Sequence, residues 1–345
     1  MKNKLFTKIF VLFFALFCAT FFGCKKTSAI QQNDNVQSES FNKTQRPTQT
    51  VKVLTTIFPL YDWVKNVAKE SENIQVELLI KNGVDLHSFQ PSASDIVKLS
   101  TCDILIFVGG ESDFWIKDAL KNAVNKNMRV INLMESLSDS VKEEEFVEGM
   151  TGEDHEYDKH EHNEAEYDEH LWLSVKNAET AVQKIADALS EKNSGEADLI
   201  EANKDKYLAM LKQLQNGGLE NLHDKTATTI IVCDRFPFRY MTDELGIKYY
   251  AAFVGCSAET EASFETIAFL SNKIRELYAS GTNKVFVTES SDKKIAQTVI
   301  KNAGLYGKCK IVTLDSMQST TLQDAEKGAN YIDIMKENYK KLEQQ

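Results

Sequence analysis

Glu196-Ala-Asp-Leu-Ile-Glu-Ala-Asn-Lys-Asp-Lys-Tyr-Leu-Ala-Met-Leu-Lys-Gln-Leu-Gln-Asn-Gly-Gly-Leu-Glu-Asn-Leu222 is the stretch from which the architecture follows. Ile200, Tyr207, Leu208, Leu211 and Leu214 fall on one stripe at helical spacing. A helix of this length runs about 40 Å at 1.5 Å per residue. That reach predicts a connector between two lobes. The sequence on both sides agrees. Upstream, Val51 to Ile57 is a short β-branched run closed by Phe58-Pro59, and Pro59 opens a helix to about Lys69, as an early proline allows. Ile74–Ile80, Asp103–Val108 and Arg129–Leu133 read as further strands, with helices from Pro91 to Ser100 and Asp113 to Lys126. Lys176–Lys192 is a helix leading into the connector. Downstream the alternation restarts: strands at Thr228–Val232, Lys248–Phe253, Lys284–Val287 and Lys310–Leu314, with helices at Pro237–Leu245, Ser263–Ala279 and Asp292–Ala303 between them. One terminal helix is expected over Leu322–Leu342. Strands alternating with helices form a parallel sheet covered on both faces. The expected fold is therefore α/β: two Rossmann-like lobes with parallel sheets, joined by a long connecting helix. The lobes are expected at 51–192 and 225–345, with the linker at 193–224.

A chain of 345 residues can hold two such cores. Its net charge of −11 and pI near 5.2 argue against a nucleic-acid partner and suit a cation ligand. Residues 1–24 read as a lipoprotein signal peptide. Lys2, Lys4 and Lys8 precede an apolar run, Ile9 to Phe22, which is too short for a comfortable membrane span. Gly23-Cys24 then matches a relaxed lipobox, with Phe21 and Phe22 in place of the usual leucine and small residue. Lipidation of Cys24 is expected, with residues 25–50 as a flexible tether and the mature chain on the outer face of the cytoplasmic membrane. The plainer alternative is an ordinary signal peptide or an uncleaved anchor.

Glu153-Asp-His-Glu-Tyr-Asp-Lys-His-Glu-His-Asn-Glu-Ala-Glu-Tyr-Asp-Glu-His170 holds four of the six histidines, His155, His160, His162 and His170, among many carboxylates. Such a run has almost nothing apolar to bury, yet imidazole and carboxylate suit a divalent ion. A solvated acidic loop is the bland alternative. His170 stands apart because Leu171-Trp172-Leu173 follows it at once and ties it to a core. In open α/β sheets ligands bind beyond the carboxyl ends of strands. Four ligand-type residues meet that condition: His87, His170, Cys233 and Asp315. Singly, each has an ordinary reading as a helix cap or core residue. Together, two per lobe, they form a candidate four-ligand site facing a cleft.

Thr55-Thr-Ile-Phe-Pro-Leu-Tyr61, Gly83-Val-Asp-Leu-His-Ser-Phe-Gln-Pro-Ser92, Asp168-Glu-His-Leu-Trp-Leu-Ser-Val-Lys-Asn177 and Val312-Thr-Leu-Asp315 resemble the signature blocks of zinc/manganese-type (cluster A-I) solute-binding proteins of ABC transporters. The resemblance runs from about residue 51 to the C-terminus. It implies two α/β lobes, a rigid connecting helix, and a metal held between the lobes for delivery to a permease and its ATPase, without catalysis. It implies His87 as first ligand, His170 as second and Asp315 as fourth. The family's third ligand, a histidine or glutamate, corresponds here to Cys233 in Cys233-Asp-Arg-Phe-Pro-Phe-Arg-Tyr240. Cys233 as thiolate ligand, Asp234 swinging in, Cys256 from Gly255-Cys-Ser-Ala-Glu-Thr-Glu261, a Cys233–Cys256 disulfide and inert burial all stay open.

The expected protein is a monomeric, lipid-anchored zinc-binding component of an importer, with His155, His160 and His162 as an accessory metal-collecting loop. Manganese or iron is the alternative cargo. A metal-dependent hydrolase would use the same ligands, but the chain lacks an HExxH helix. A surface adhesin is the remaining rival. Metal retention without turnover separates transport from hydrolysis.

Overall fold

Strands buried on both faces read as continuous apolar runs, and the first strand shows why. Val51 and Val53 of β1 (Val51–Thr55) enter one core, whereas Leu54 enters another on the opposite face. The computed structural model describes residues 50–150, 166–223, 229–257 and 261–343. The signal segment with Cys24, most of the tether, and His155, His160 and His162 lie outside the described residues. After β1 come α1 (Phe58–Val67), β2 (Ile74–Leu78), α2 (Ala93–Thr101), β3 (Ile104–Phe107), α3 (Phe114–Lys121), β4 (Arg129–Asn132) and a short α4 (Leu133–Ser136). Then α5 (Val175–Lys192) and α6 (Ala197–His223) lead to the second lobe. It contains β5 (Thr229–Phe236), α7 (Arg239–Leu245), β6 (Lys248–Val254), α8 (Phe264–Ala279), β7 (Lys284–Val287), α9 (Lys294–Asn302), β8 (Lys310–Thr313), α10 (Leu322–Glu326) and α11 (Tyr331–Glu343).

The two sheets have matching orders, β2-β1-β3-β4 and β6-β5-β7-β8, and all their pairings are parallel. In each, the chain leaves the first strand to one side and then returns to the other. That reversal opens a crevice at the carboxyl ends of the strands. The fold is thus the expected α/β pair of lobes. The stripe on α6 is buried at Ile200, Tyr207, Leu211 and Leu214. It joins a core that includes Trp63 of α1, Leu189 of α5, Val232 of β5 and Met335 of α11, so one apolar interior runs through both lobes.

Several local readings change; α3, for example, ends at Lys121 rather than Lys126. The expected terminal helix is two helices, broken where Gly328 takes φ +106, a left-handed conformation that favours glycine. β2 stops at Leu78 rather than Ile80. β5 runs on to Phe236 rather than ending at Val232, with a register irregularity between Val232 and Arg235 against β6. Its polar Cys-Asp-Arg segment carries weak strand propensity, and a bulge absorbs it.

Candidate metal centre

His87 sits in the turn Leu86–Ser88 that follows β2. Leu86 is buried and anchors the turn. Asp85 caps it, its Oδ1 accepting from the His87 backbone N at 3.0 Å. The other carboxylate oxygen, Oδ2, accepts from Arg235 Nη2 of β5 at 2.8 Å, which ties the turn to the second lobe. His87 Nδ1 lies 2.7 Å from Ser112 Oγ, in the loop after β3, and 3.7 Å from Glu169 Oε2. His170 is fully buried at the head of the apolar turn Leu171–Leu173. Asp168 Oδ1 accepts from the His170 backbone N at 2.9 Å and lies 2.8 Å from its Nδ1. The indole of Trp172 stands beside the imidazole, with centroids 5.2 Å apart.

With each Nδ1 engaged by an oxygen, each ring can present its Nε2 to a metal. The two Nε2 atoms lie 3.3 Å apart. Two nitrogens at about 2.0–2.1 Å on a tetrahedral zinc ion are roughly 3.3 Å from each other, so the pair already has the spacing of one edge of that tetrahedron. The Cys256 Sγ joins them: among the described residues, one ligand atom each from His87, His170 and Cys256 lie within 4.8 Å of one another.

Burial, then the neighbouring His170, pushes His87 down to about 4, with Asp85 opposing and Arg235 adding to the effect. His87 is therefore neutral near pH 7 and ready to coordinate. Burial alone would lower His170 as well, but the Asp168 hydrogen bond and charge, with Glu144 and Glu169, hold it above its ordinary value. Burial raises both Glu144 and Glu169. Burial, and then Glu144, pushes the Cys256 thiol up.

Gly255 lets β6 approach this closely. A Cβ there would lie 3.0 Å from His170 Cε1 and Nδ1 and 3.0 Å from the Phe236 carbonyl oxygen. His170 is locked by Asp168 and Trp172, so it cannot give way. Gly255→Ala is expected to weaken zinc binding roughly tenfold, about 1.4 kcal/mol, with little loss of melting temperature. Calorimetric titration of the variant checks this, and an unchanged affinity would show that the turn has slack.

The other residues singled out from the sequence lie elsewhere. Cys233 keeps the alternation of β5 and points, with Ile231, into the core of Phe253, Leu270 and Val287; it is 1% exposed. It does not reach the imidazoles. Cys233 and Cys256 are both free thiols, so the bridge between them is not formed. Asp234 Oδ2 accepts from Thr288 Oγ1 at 3.0 Å. Asp315 lies just past β8, where its Oδ1 accepts from Met317 N at 2.8 Å and its own N donates to Asn338 Oδ1 at 2.9 Å. Burial, then Glu289, raises its carboxyl to about 6. Neither aspartate is gathered with the imidazole pair. Sequence reasoning missed Ser112, Glu144 and Arg235. Asp168 and Glu169 were visible as members of the acidic run and of the block around His170, with no role attached to either. No local pattern marks Ser112 or Glu144, because they reach the site through tertiary packing alone.

A family model described as ZnuA, zinc-uptake complex component A periplasmic, matches residues 53–345. The zinc-binding protein AdcA of Streptococcus pyogenes is 27% identical over 303 residues, covering 85% of this chain and 55% of that protein. The chain thus spans about half the length of these streptococcal relatives. The high-affinity zinc uptake system protein ZnuA of Bacillus subtilis is 25% identical over 292 residues, covering 83% of this chain and 84% of that protein. Among solved structures, the Zn(II)-bound ZnuA-like domain of Streptococcus pneumoniae AdcA superposes with a TM-score of 0.65 at 24% identity, over 86% of this chain and 98% of that one. At that identity the superposition speaks for the fold. The match over 53–345 decides the family: this chain belongs to the zinc-uptake complex component A family, whose members are metal-uptake components and not enzymes.

Proposed function

We propose that the chain captures zinc between its two lobes outside the cytoplasmic membrane and delivers it to an ABC permease and its ATPase. The 3.3 Å separation of the His87 Nε2 and the buried His170 Nε2, each ring held by an oxygen partner behind it, is the observation that carries this reading. The names of the streptococcal and Bacillus relatives support zinc as the cargo. The lobes extend over 51–192 and 225–345 with the linker at 193–224, and each lobe presents its strand ends to the metal. Cys24 carries the lipid that anchors a monomeric chain, and His155, His160 and His162 form a collector that raises the local zinc concentration.

The test is metal analysis of the purified protein, anomalous scattering at the zinc edge, and zinc titration of the parent and of a variant lacking Glu153 to Glu166. The parent should retain one tightly bound zinc. Deletion should leave that site intact and remove weaker additional binding, because ordering a loop costs roughly 1–2 kcal/mol per residue in backbone entropy. A parent that retains no zinc would sink the proposal. A deletion that abolishes the tight site would place that site in the loop.

A further inference from the structure

The family resemblance places a third donor at the end of β5, but Cys233 there is turned into the core. What β5 sends toward the imidazoles instead is Arg235, tied to Asp85 at 2.8 Å. A guanidinium stays protonated and has no lone pair for a metal. The neighbouring strand supplies the alternative. β6 ends at Val254, and Cys256 follows after one glycine.

We propose that Cys256 is the third protein donor to the metal, delivered by β6 in place of β5, and that its sulfur sets the preference of the site for zinc over manganese. The proposal rests on the metal-uptake reading above and deepens it. Three observations place the sulfur. Its Sγ belongs to the same group of ligand atoms as the two imidazoles, all within 4.8 Å. Gly255 brings the turn against His170, with room for no side chain between them. The Cys256 backbone N donates to Glu144 Oε1 of the first lobe at 3.1 Å, which fixes the turn across the cleft. As the metal–sulfur bond forms, the S–H bond breaks, and the proton passes to the Glu144 carboxylate that faces the thiol and then to water. One thiolate and two neutral imidazoles leave one positive charge on a divalent ion, in a pocket that also holds the carboxylates of Glu144, Glu169 and Asp168. Thiolate is a soft donor that suits zinc and cobalt and disfavours manganese.

The experiment is cobalt(II) titration of the full-length chain, read by thiolate-to-cobalt charge-transfer absorption in the near ultraviolet, with zinc competition to measure affinity. The parent should show the band and lose it when zinc displaces cobalt. Cys256→Ser should lack the band and bind zinc roughly 100-fold more weakly, with a smaller preference for zinc over manganese. Cys233→Ser should keep both band and affinity. The parent spectrum tests the proposal without relying on the folding of any variant: bound cobalt without the band overturns it while leaving zinc uptake standing. A band lost in Cys233→Ser and kept in Cys256→Ser returns the donor to β5. If the parent binds neither zinc nor cobalt, the metal-uptake reading itself has failed.

Discussion

His170→Ala is expected to abolish tight zinc binding, raising the dissociation constant by more than about 100-fold. Changes to residues that merely orient a ligand already cost 10–100-fold, and this change removes a donor outright. The variant also leaves the Asp168 carboxylate, 1% exposed, without its imidazole partner. The backbone N–H of residue 170 still donates to that carboxylate, so the cost is below that of a fully unpaired buried acceptor, and only part of the loss would come from a loosened fold. His87→Ala separates the two effects. Its imidazole is partly exposed, with 13% of the side chain accessible, and Ser112 can turn to water. That variant should melt close to the parent and still lose tight binding. Zinc titration beside thermal melting reads both quantities. Parental affinity in both variants would rule the pair out as ligands.

Trp172→Ala is expected to be the most destabilising single change near the site. The side chain is fully buried, and its Nε1 donates to the Ser316 carbonyl of the second lobe at 2.9 Å. Its own carbonyl accepts from the Tyr331 hydroxyl at 2.7 Å. Truncating a buried tryptophan costs about 3–5 kcal/mol. At roughly 2–4 °C per kcal/mol for a protein of this size, the melting temperature should fall by on the order of 10 °C. Zinc affinity should fall as well, because the indole walls the His170 imidazole. Trp172→Phe keeps a ring and loses the donor, so it should sit between the two. A melting temperature unchanged in the alanine variant would mean that the two lobes do not depend on this contact.

The architecture was legible because its signals are local. Each of the strands β1, β3 and β7 is a short apolar run, and each helix between strands carries its own period. The helix expected from Pro91 begins at Ala93, where Ser92 and Asp95 form a capping box. His87 and His170 came forward as candidates for a different reason, since both follow strands and both lie in quoted family blocks. Cys233 misled because strand ends are the least local feature of a sheet. Val232 looks like the last strand residue only if the polar segment after it is taken for a loop. Pairing with β6 carries β5 four residues further, to Phe236, and the irregularity between Val232 and Arg235 decides which side chains face the cleft. A cysteine in an apolar strand and a cysteine after a glycine look alike in sequence, and only burial distinguishes them.

The hydrogen bonds that cross between the lobes bear on how fast the cargo can leave. Tyr240 donates to the Asp168 carbonyl at 2.8 Å, Trp172 to the Ser316 carbonyl, and Tyr331 both to the Trp172 carbonyl and, through its backbone N, to Asp62 Oδ2 at 3.3 Å. All four are buried. Swinging the lobes apart as rigid bodies would break them together, and each buried group left unmatched costs about 1–3 kcal/mol. Such an opening is a rare excursion and a poor exit route. The short turns that carry His87 and Cys256 are tied across the cleft by the part-buried contacts Asp85–Arg235 at 2.8 Å and Cys256 N–Glu144 Oε1 at 3.1 Å, which can be broken one at a time. On the function proposed above, metal would leave by the unfastening of single clasps at the rim of a closed body, with a residence time set by those turns and not by the swing of a hinge.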